Sequence, residues 1–156
     1  NKTKIPANYI PEDLVSLSAM GINTNGEMRL REEAAIKLKE MLSDLSKAKI
    51  NYLVTSAFRT YQSQIFTYNA YIFEKGESAA AKVAARPGYS EHQLGLAVDI
   101  LNEETNYQLP SRAVKTRLYS WLIKNASKYG FYQTYRGDTE GILEEIWHWR
   151  YTGVIN

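Results

Sequence analysis

The stretch PGYSEHQLGLAVDI, from Pro87 to Ile100, carries the strongest structural signal in this sequence. It contains His92, one of only two histidines in 156 residues, and closes with the apolar run GLAVDI, which includes Asp99. A short apolar run of this kind predicts a buried strand. A carboxylate inside such a strand is unfavourable unless it has a strong partner. We therefore expect Asp99 to have a specific partner, and His92 is a candidate.

Gly95 lies between these two residues and bears on whether they can meet. Seven residues span roughly 23 Å in a strand and about 10 Å in a helix. Ligands of one metal ion lie much closer together, because their bonds to the ion are about 2.0–2.2 Å long. If His92 and Asp99 share an ion, the chain must fold back between them, and glycine permits the turn that this requires.

The second histidine, His148, lies in EEIWHWRY, three residues after Glu145. With His92 and Asp99 it could form a His–Asp–His set, and three protein ligands plus one open position are typical of catalytic zinc. Glu145 could then serve as a general base. The spacing alone leaves an alternative open: a surface-loop His92, an Asp99 paired with a lysine, and a His148 stacked between its two neighbouring tryptophans.

Composition limits the kinds of protein that this sequence can encode. The length fits one domain, and 44% hydrophobic with 23% charged residues is ordinary for a globular protein. A net charge of +2, without clustered Lys and Arg, argues against a nucleic-acid partner. Without cysteine, a metal site needs His and carboxylate ligands. No apolar run approaches the ~20 residues of a membrane span. We also expect the protein to be a monomer.

The hydrophobic periodicity predicts a mixture of helices and strands without regular alternation, and hence an α+β domain with a small antiparallel sheet surrounded by helices. We expect residues 1–24 to form an extended arm packed on a single domain of residues 25–156. Helices are predicted at residues 29–49, with Asn25 as a possible N-cap, and at 60–75, 77–86 and 111–129; strands are predicted at 52–55, 95–101, 131–135 and 146–153. The two tryptophans flanking His148 are expected to pack on the sheet.

Two segments resemble the signatures of a known family. SEHQLGLAVD matches the pattern S-x-H-x-x-G-x-A-x-D of the VanY-like zinc D-alanyl-D-alanine carboxypeptidases, members of the M15 peptidases, which include LdcB-type L,D-carboxypeptidases. EIWHWRY is similar to that family's second signature, E-x-W-H. The segments SAFRTYQSQ and YGFYQTY occur in the family's order, so the resemblance covers nearly the whole chain.

The resemblance implies a hedgehog/DD-peptidase-like fold that binds one zinc ion. His92, Asp99 and His148 match the zinc ligands of the family, and Glu145 matches its catalytic base. The implied reaction is hydrolysis of the C-terminal D-alanine from peptidoglycan stem peptides ending in D-Ala-D-Ala. The sequence leaves open an L,D-carboxypeptidase acting on tetrapeptide stems, a crosslink-cleaving endopeptidase, and a non-catalytic zinc-binding module.

Three further residues obtain roles from the same resemblance. Arg59 matches the arginine that polarises the scissile carbonyl and stabilises the oxyanion, Ser90 matches a serine that helps to hold the substrate's terminal carboxylate, and Gln64 is expected to line the cleft. A peptidoglycan substrate implies an extracytoplasmic protein, secreted or in the cell envelope. The chain begins at Asn1, and we expect a leader or anchor to have been removed.

Overall fold

The structure is a computed structural model that describes residues 3–110, 114–137 and 144–153. Within these ranges the α-helices are α1 (Glu32–Lys47), α2 (Tyr61–Lys75), α3 (Glu77–Val83) and α4 (Arg117–Asn125). The strands are β1 (Leu14–Ser16), β2 (Arg29–Arg31), β3 (Leu53–Ser56), β4 (Ala97–Leu101), β5 (Phe131–Tyr132) and β6 (His148–Tyr151). Short 3₁₀ helices occupy Ser18–Met20, Glu91–Leu94, Glu103–Thr105 and Ala126–Tyr129. The predicted α+β class is confirmed.

A four-stranded antiparallel sheet, in the order β3-β4-β6-β5, forms the centre of the fold. β4 is an inner strand, and all five of its residues are buried, which accounts for its nearly continuous apolar sequence. In the register of β4 with β6, Asp99 lies directly opposite His148. Directly opposed residues of an antiparallel pair have Cβ atoms about 4.5–5.5 Å apart. The sheet therefore brings together two side chains that are 49 residues apart in the sequence.

Helix α1 provides much of the hydrophobic core beneath the sheet. Its apolar residues recur at helical spacing, and the following are fully buried: Ala34, Ala35, Leu38, Met41, Leu42 and Leu45. They belong to one cluster with Val98 of β4 and Trp149 of β6. Tyr151 also donates a hydrogen bond to Glu33 at 2.7 Å, which ties β6 to α1. The core thus fixes the two strands that carry Asp99 and His148.

The start of α1 differs from the predicted one. Asn25 is not its N-cap: the helix begins at Glu32, and Arg31 occupies the N-cap position without a capping side-chain hydrogen bond. Residues 29–31 instead pair with β1 as β2. Strand pairing satisfies the backbone groups of these residues, so the apolar Leu30 that suggested a helical turn contributes to the core from a strand.

The predicted helix at 111–129 is shorter and ends differently. It begins at Arg117, where Thr116 caps it by accepting a hydrogen bond from the backbone N–H of Tyr119 at 3.0 Å. Its last four predicted residues form the 3₁₀ helix Ala126–Tyr129, which is followed by Gly130 as a cap with a left-handed φ of 83°. Residues 111–113 lie outside the described ranges.

Residues 3–24 lie against the rest of the domain through several contacts. Gln93 Nε2 donates hydrogen bonds to the carbonyls of Pro6 at 2.9 Å and Tyr9 at 3.4 Å. Leu17 and Ile22 are buried in the main core. This segment therefore supports the 3₁₀ helix that carries His92. Among the described helices, none has the length and apolar character that crossing a bilayer requires.

Candidate active site

His92 reaches Asp99 because the chain turns sharply between them, as the sequence predicted. The 3₁₀ helix Glu91–Leu94 begins at Ser90, whose Oγ accepts a hydrogen bond from the backbone N–H of His92 at 3.3 Å. It ends at Gly95, which adopts a left-handed φ of 69°. The reversal brings His92 Nε2 to 3.3 Å from Asp99 Oδ1.

His148 completes a compact cluster with these two residues. Its Nδ1 lies 3.1 Å from the same Asp99 Oδ1, and one donor atom from each of the three residues lies within 4.8 Å of the others. All three residues are buried, with exposed fractions of 3%, 8% and 2% for His92, Asp99 and His148. Two imidazoles and one carboxylate converging in this way form a donor set that suits zinc.

The outward-facing nitrogen of each imidazole is held by another group, and the two rings are held differently. His92 Nδ1 donates to the backbone carbonyl of Ala57 at 2.7 Å, which leaves Nε2 directed at Asp99. His148 Nε2 donates to Glu91 Oε2 at 2.9 Å, which leaves Nδ1 directed at Asp99. Such hydrogen bonds fix the tautomer and the ring orientation of metal-binding histidines.

Each of the three side chains of this cluster has a shifted pKa. Burial opposes ionisation of Asp99, yet the adjacent histidines hold its pKa far below the ordinary range. Burial likewise opposes protonation of His148, but hydrogen bonds to Asp99 and Glu91 raise its pKa to about 9. Burial lowers the pKa of His92. A dication between these groups would stabilise the Asp99 carboxylate in place of the His148 proton. The three residues therefore fit a zinc ion.

Glu145 lies at the edge of this cluster, 3.8 Å from His148 Nδ1 through its Oε2. Its backbone N–H donates to the carbonyl of Tyr135 at 3.0 Å, and its carbonyl accepts from Gln133 Nε2 at 3.1 Å. The side chain is 12% exposed. Burial raises the pKa of this carboxyl group to about 7, with the charge of Asp99 adding to the effect. A carboxylate with such a pKa can exchange a proton near neutrality.

Arg59 lines the same cleft. It follows β3, and its backbone N–H donates to the carbonyl of His92 at 3.2 Å, which ties it to the 3₁₀ helix Glu91–Leu94. Its Nε is buried and has no hydrogen-bond partner among the described residues. An unsatisfied buried donor is costly, and a substrate oxygen in the cleft could accept from it.

Ser90 and Gln64 also line the cleft, where both are buried. Ser90 Oγ accepts from the His92 backbone, which leaves its hydroxyl hydrogen available to a ligand. Gln64 Nε2 donates to the carbonyl of Ala85 at 2.8 Å, whereas its Oε1 has no partner in the part of the chain that the structure describes. One cleft thus contains every predicted site residue: Arg59, Gln64, Ser90, His92, Asp99, Glu145 and His148. The chemical role of each stays a prediction.

Several cleft residues were not identified from the sequence. Glu91 was overlooked although it adjoins His92, and its exposed fraction is only 4%. Tyr71 and Tyr135 add aromatic walls, the latter with its ring centroid 5.1 Å from that of His148. Trp149 packs in the core as expected, but Trp147 precedes β6 and lines the cleft. Only Glu91 had a sequence signal, as a charged residue beside a candidate ligand.

Comparison with known proteins agrees with this geometry. The family model described as D-alanyl-D-alanine carboxypeptidase, VanY, matches residues 27–154. The chain belongs to this family. YodJ of Bacillus subtilis (strain 168) is 35% identical over 154 residues, which cover 96% of this chain and 56% of YodJ. This chain spans about half the length of the curated relatives it matches.

Solved structures of VanY-family proteins superimpose on this chain. The LdcB LD-carboxypeptidase matches with a TM-score of 0.83 and 34% identity, covering 96% of this chain and 72% of that protein. A mutant of the vancomycin-resistance D,D-pentapeptidase VanY, in complex with Zn(II), matches with a TM-score of 0.78 and 27% identity over 99% of this chain and 85% of that one. The shared fold therefore occurs both in a zinc complex and in an L,D-carboxypeptidase.

Proposed function

We propose that this chain is a zinc-dependent carboxypeptidase that removes the C-terminal D-alanine from peptidoglycan stem peptides ending in D-Ala-D-Ala. The observation that carries the proposal is the convergence of His92, Asp99 and His148, with one donor atom from each within 4.8 Å of the others, beside Glu145 in one cleft. Family membership supports the same reaction. Neither a buried general base nor a buried arginine is needed in a module that only binds zinc.

In this proposal the three ligands hold one zinc ion, and the other residues act on the water and the peptide. A bound zinc ion supplies Lewis acidity, which lowers the pKa of an attacking water toward ~7. Glu145 accepts the proton from that water and later returns it to the leaving amine. Arg59 is proposed to donate a guanidinium hydrogen to the oxygen of the scissile carbonyl as negative charge develops there, and its Nε has no hydrogen-bond partner among the described residues.

Recognition of a free C-terminus requires donors beside the reacting carbonyl. Ser90 is proposed to donate its hydroxyl hydrogen to the substrate's terminal carboxylate, since its Oγ already accepts from the His92 backbone. Gln64 is proposed to contact the substrate through Oε1, the atom of its amide that has no partner among the described residues. Both residues are buried, and packing around a site residue helps to preorganise its donors and acceptors.

A second candidate is an L,D-carboxypeptidase that removes D-alanine from tetrapeptide stems. The observation in its favour is the match to the LdcB LD-carboxypeptidase, with a TM-score of 0.83. The zinc-loaded protein should be incubated with synthetic penta- and tetrapeptide stems, and the products identified by mass. Loss of one alanine from the pentapeptide alone supports the D,D reaction, and loss from the tetrapeptide alone supports the L,D reaction. Release from neither stem would contradict the proposed function.

The proposed location of the protein follows from its substrate. Peptidoglycan lies outside the cytoplasmic membrane, so we propose that the working protein lies there, secreted or in the cell envelope.

We also propose that it acts as a monomer, with residues 1–24 as an arm on a catalytic domain of residues 25–156. The contacts of Gln93 with the carbonyls of Pro6 and Tyr9 support that arrangement.

A further inference from the structure

Glu91 lies behind His148 on the side away from Asp99, and the proposed mechanism does not use it. Its carboxylate is 3% exposed and receives hydrogen bonds from three side chains. Oε2 accepts from His148 Nε2 at 2.9 Å and from Thr134 Oγ1 at 2.9 Å. Oε1 accepts from Arg150 Nη1 at 3.2 Å. These partners come from the neighbouring strand β6 and the segment after β5.

Burying a carboxylate is costly unless its lone pairs are satisfied and its charge is balanced. Here the guanidinium of Arg150 balances the charge at Oε1, and the Thr134 hydroxyl satisfies Oε2 together with the imidazole. The surroundings therefore stabilise Glu91 as an anion. An anionic carboxylate only accepts hydrogen bonds, so the atom facing it, His148 Nε2, must carry a hydrogen.

The consequence for His148 follows from the chemistry of imidazole. A neutral ring has one N–H and one nitrogen with a free lone pair. If the hydrogen stays on Nε2, the lone pair is on Nδ1, the nitrogen that lies 3.1 Å from Asp99 Oδ1. His92 has the opposite arrangement, because the Ala57 carbonyl retains the hydrogen on its Nδ1. The two rings thus direct different nitrogens at the same carboxylate oxygen.

We propose that Glu91 is a positioning residue that fixes the tautomer and orientation of His148, so that Nδ1 faces the metal site. Arg150 and Thr134 hold the carboxylate in place for this purpose. The inference rests on the proposed zinc function, but it concerns how the ion is bound rather than what is hydrolysed. Outer partners of this kind typically contribute a factor of 10–100 to metal affinity.

The test compares zinc dissociation constants, measured by competition with a chromogenic chelator, for the wild type, Glu91→Gln and Glu33→Gln. Glu33 is a matched control, because its carboxylate also tethers β6, through Tyr151 at 2.7 Å. We expect Glu91→Gln to weaken zinc binding roughly 10–100-fold and Glu33→Gln to leave it near the wild-type value.

A second measurement needs no variant and applies even if Glu91→Gln fails to fold. The chain has two histidines, so long-range ¹H–¹⁵N spectra of the zinc-loaded protein resolve both rings. We expect the hydrogen on Nε2 of one ring and on Nδ1 of the other. The same tautomer in both rings, or equal zinc affinity in the wild type and Glu91→Gln, would overturn the inference. If the wild type bound zinc but hydrolysed no stem peptide, that result would instead count against the proposed function.

Discussion

Replacing Gly95 with alanine perturbs the turn that brings His92 to Asp99. Gly95 has a φ of 69°, a conformation that residues with a Cβ rarely adopt. An added Cβ would also lie 3.0 Å from Arg31 Cγ, 3.1 Å from Leu14 Cδ2 and 3.2 Å from Pro11 Cγ. The substitution therefore combines backbone strain with crowding against β1, β2 and the segment before them.

The expected loss of stability has two separable parts. An alanine held in the left-handed backbone conformation costs roughly 1–2 kcal/mol, and crowding of a packed interface typically adds about 1–3 kcal/mol. Gly26→Ala is the matched control, because Gly26 has a φ of 83° but no atom within 4 Å of the added Cβ. Gly26→Ala should therefore lose roughly 1–2 kcal/mol, and Gly95→Ala about 2–5 kcal/mol in total.

Urea unfolding of the metal-free proteins, followed by circular dichroism, measures both free energies of unfolding. For a domain of this size each kcal/mol lowers Tm by about 2–4 °C, so thermal unfolding should rank the variants in the same order. We also expect Gly95→Ala to weaken zinc binding, because the distorted turn carries His92. Equal destabilisation by the two substitutions would refute the argument that packing around Gly95 helps to hold the site together.

Three further substitutions, the first with a matched control, test the proposed base, the proposed oxyanion donor and the core. Glu145→Gln should lower kcat by about 10²–10⁴-fold, the usual contribution of a general base, with the zinc content unchanged. Glu144→Gln is the control and should retain activity, because the Glu144 carboxylate contacts Tyr119 instead. Similar rates for both variants would exclude Glu145 as the base. Arg59→Met should lower kcat by about 10²–10³-fold in a stem-peptide assay without releasing zinc, and an unchanged kcat would remove Arg59 from the reaction. Leu38→Ala, at a fully buried position of α1, should lose about 2–5 kcal/mol of unfolding free energy in urea titrations; a loss below about 1 kcal/mol would place it outside the well-packed core.

The metal-binding cluster was the most predictable part of this structure. The unusual position of Asp99 in an apolar run, together with two histidines in the whole chain, made a His–Asp–His set possible, and the resemblance of SEHQLGLAVD and EIWHWRY to the family signatures favoured it over the alternative. Gly95 indicated where the chain reverses between His92 and Asp99. The register of β4 with β6, which places Asp99 opposite His148, was not available from the sequence, because strand pairing depends on contacts between distant segments.

Other features depend on tertiary contacts that leave no local pattern. His92 Nδ1 contacts the backbone carbonyl of Ala57, which leaves no mark in the sequence. His148 Nε2 contacts Glu91, whose only sequence signal was its position beside His92. The start of α1 was misjudged because Leu30 fits a helical period but lies in β2, where pairing with β1 takes precedence over helix propensity.

Dependence of hydrolysis on zinc is measured by titrating zinc into metal-depleted protein, with release of D-alanine from a pentapeptide stem as the readout. We expect no release without metal, a linear increase on addition of zinc, and a plateau at one equivalent, since His92, Asp99 and His148 form one donor set. Undiminished release from fully depleted protein, or no release at any zinc concentration, would contradict the proposed function.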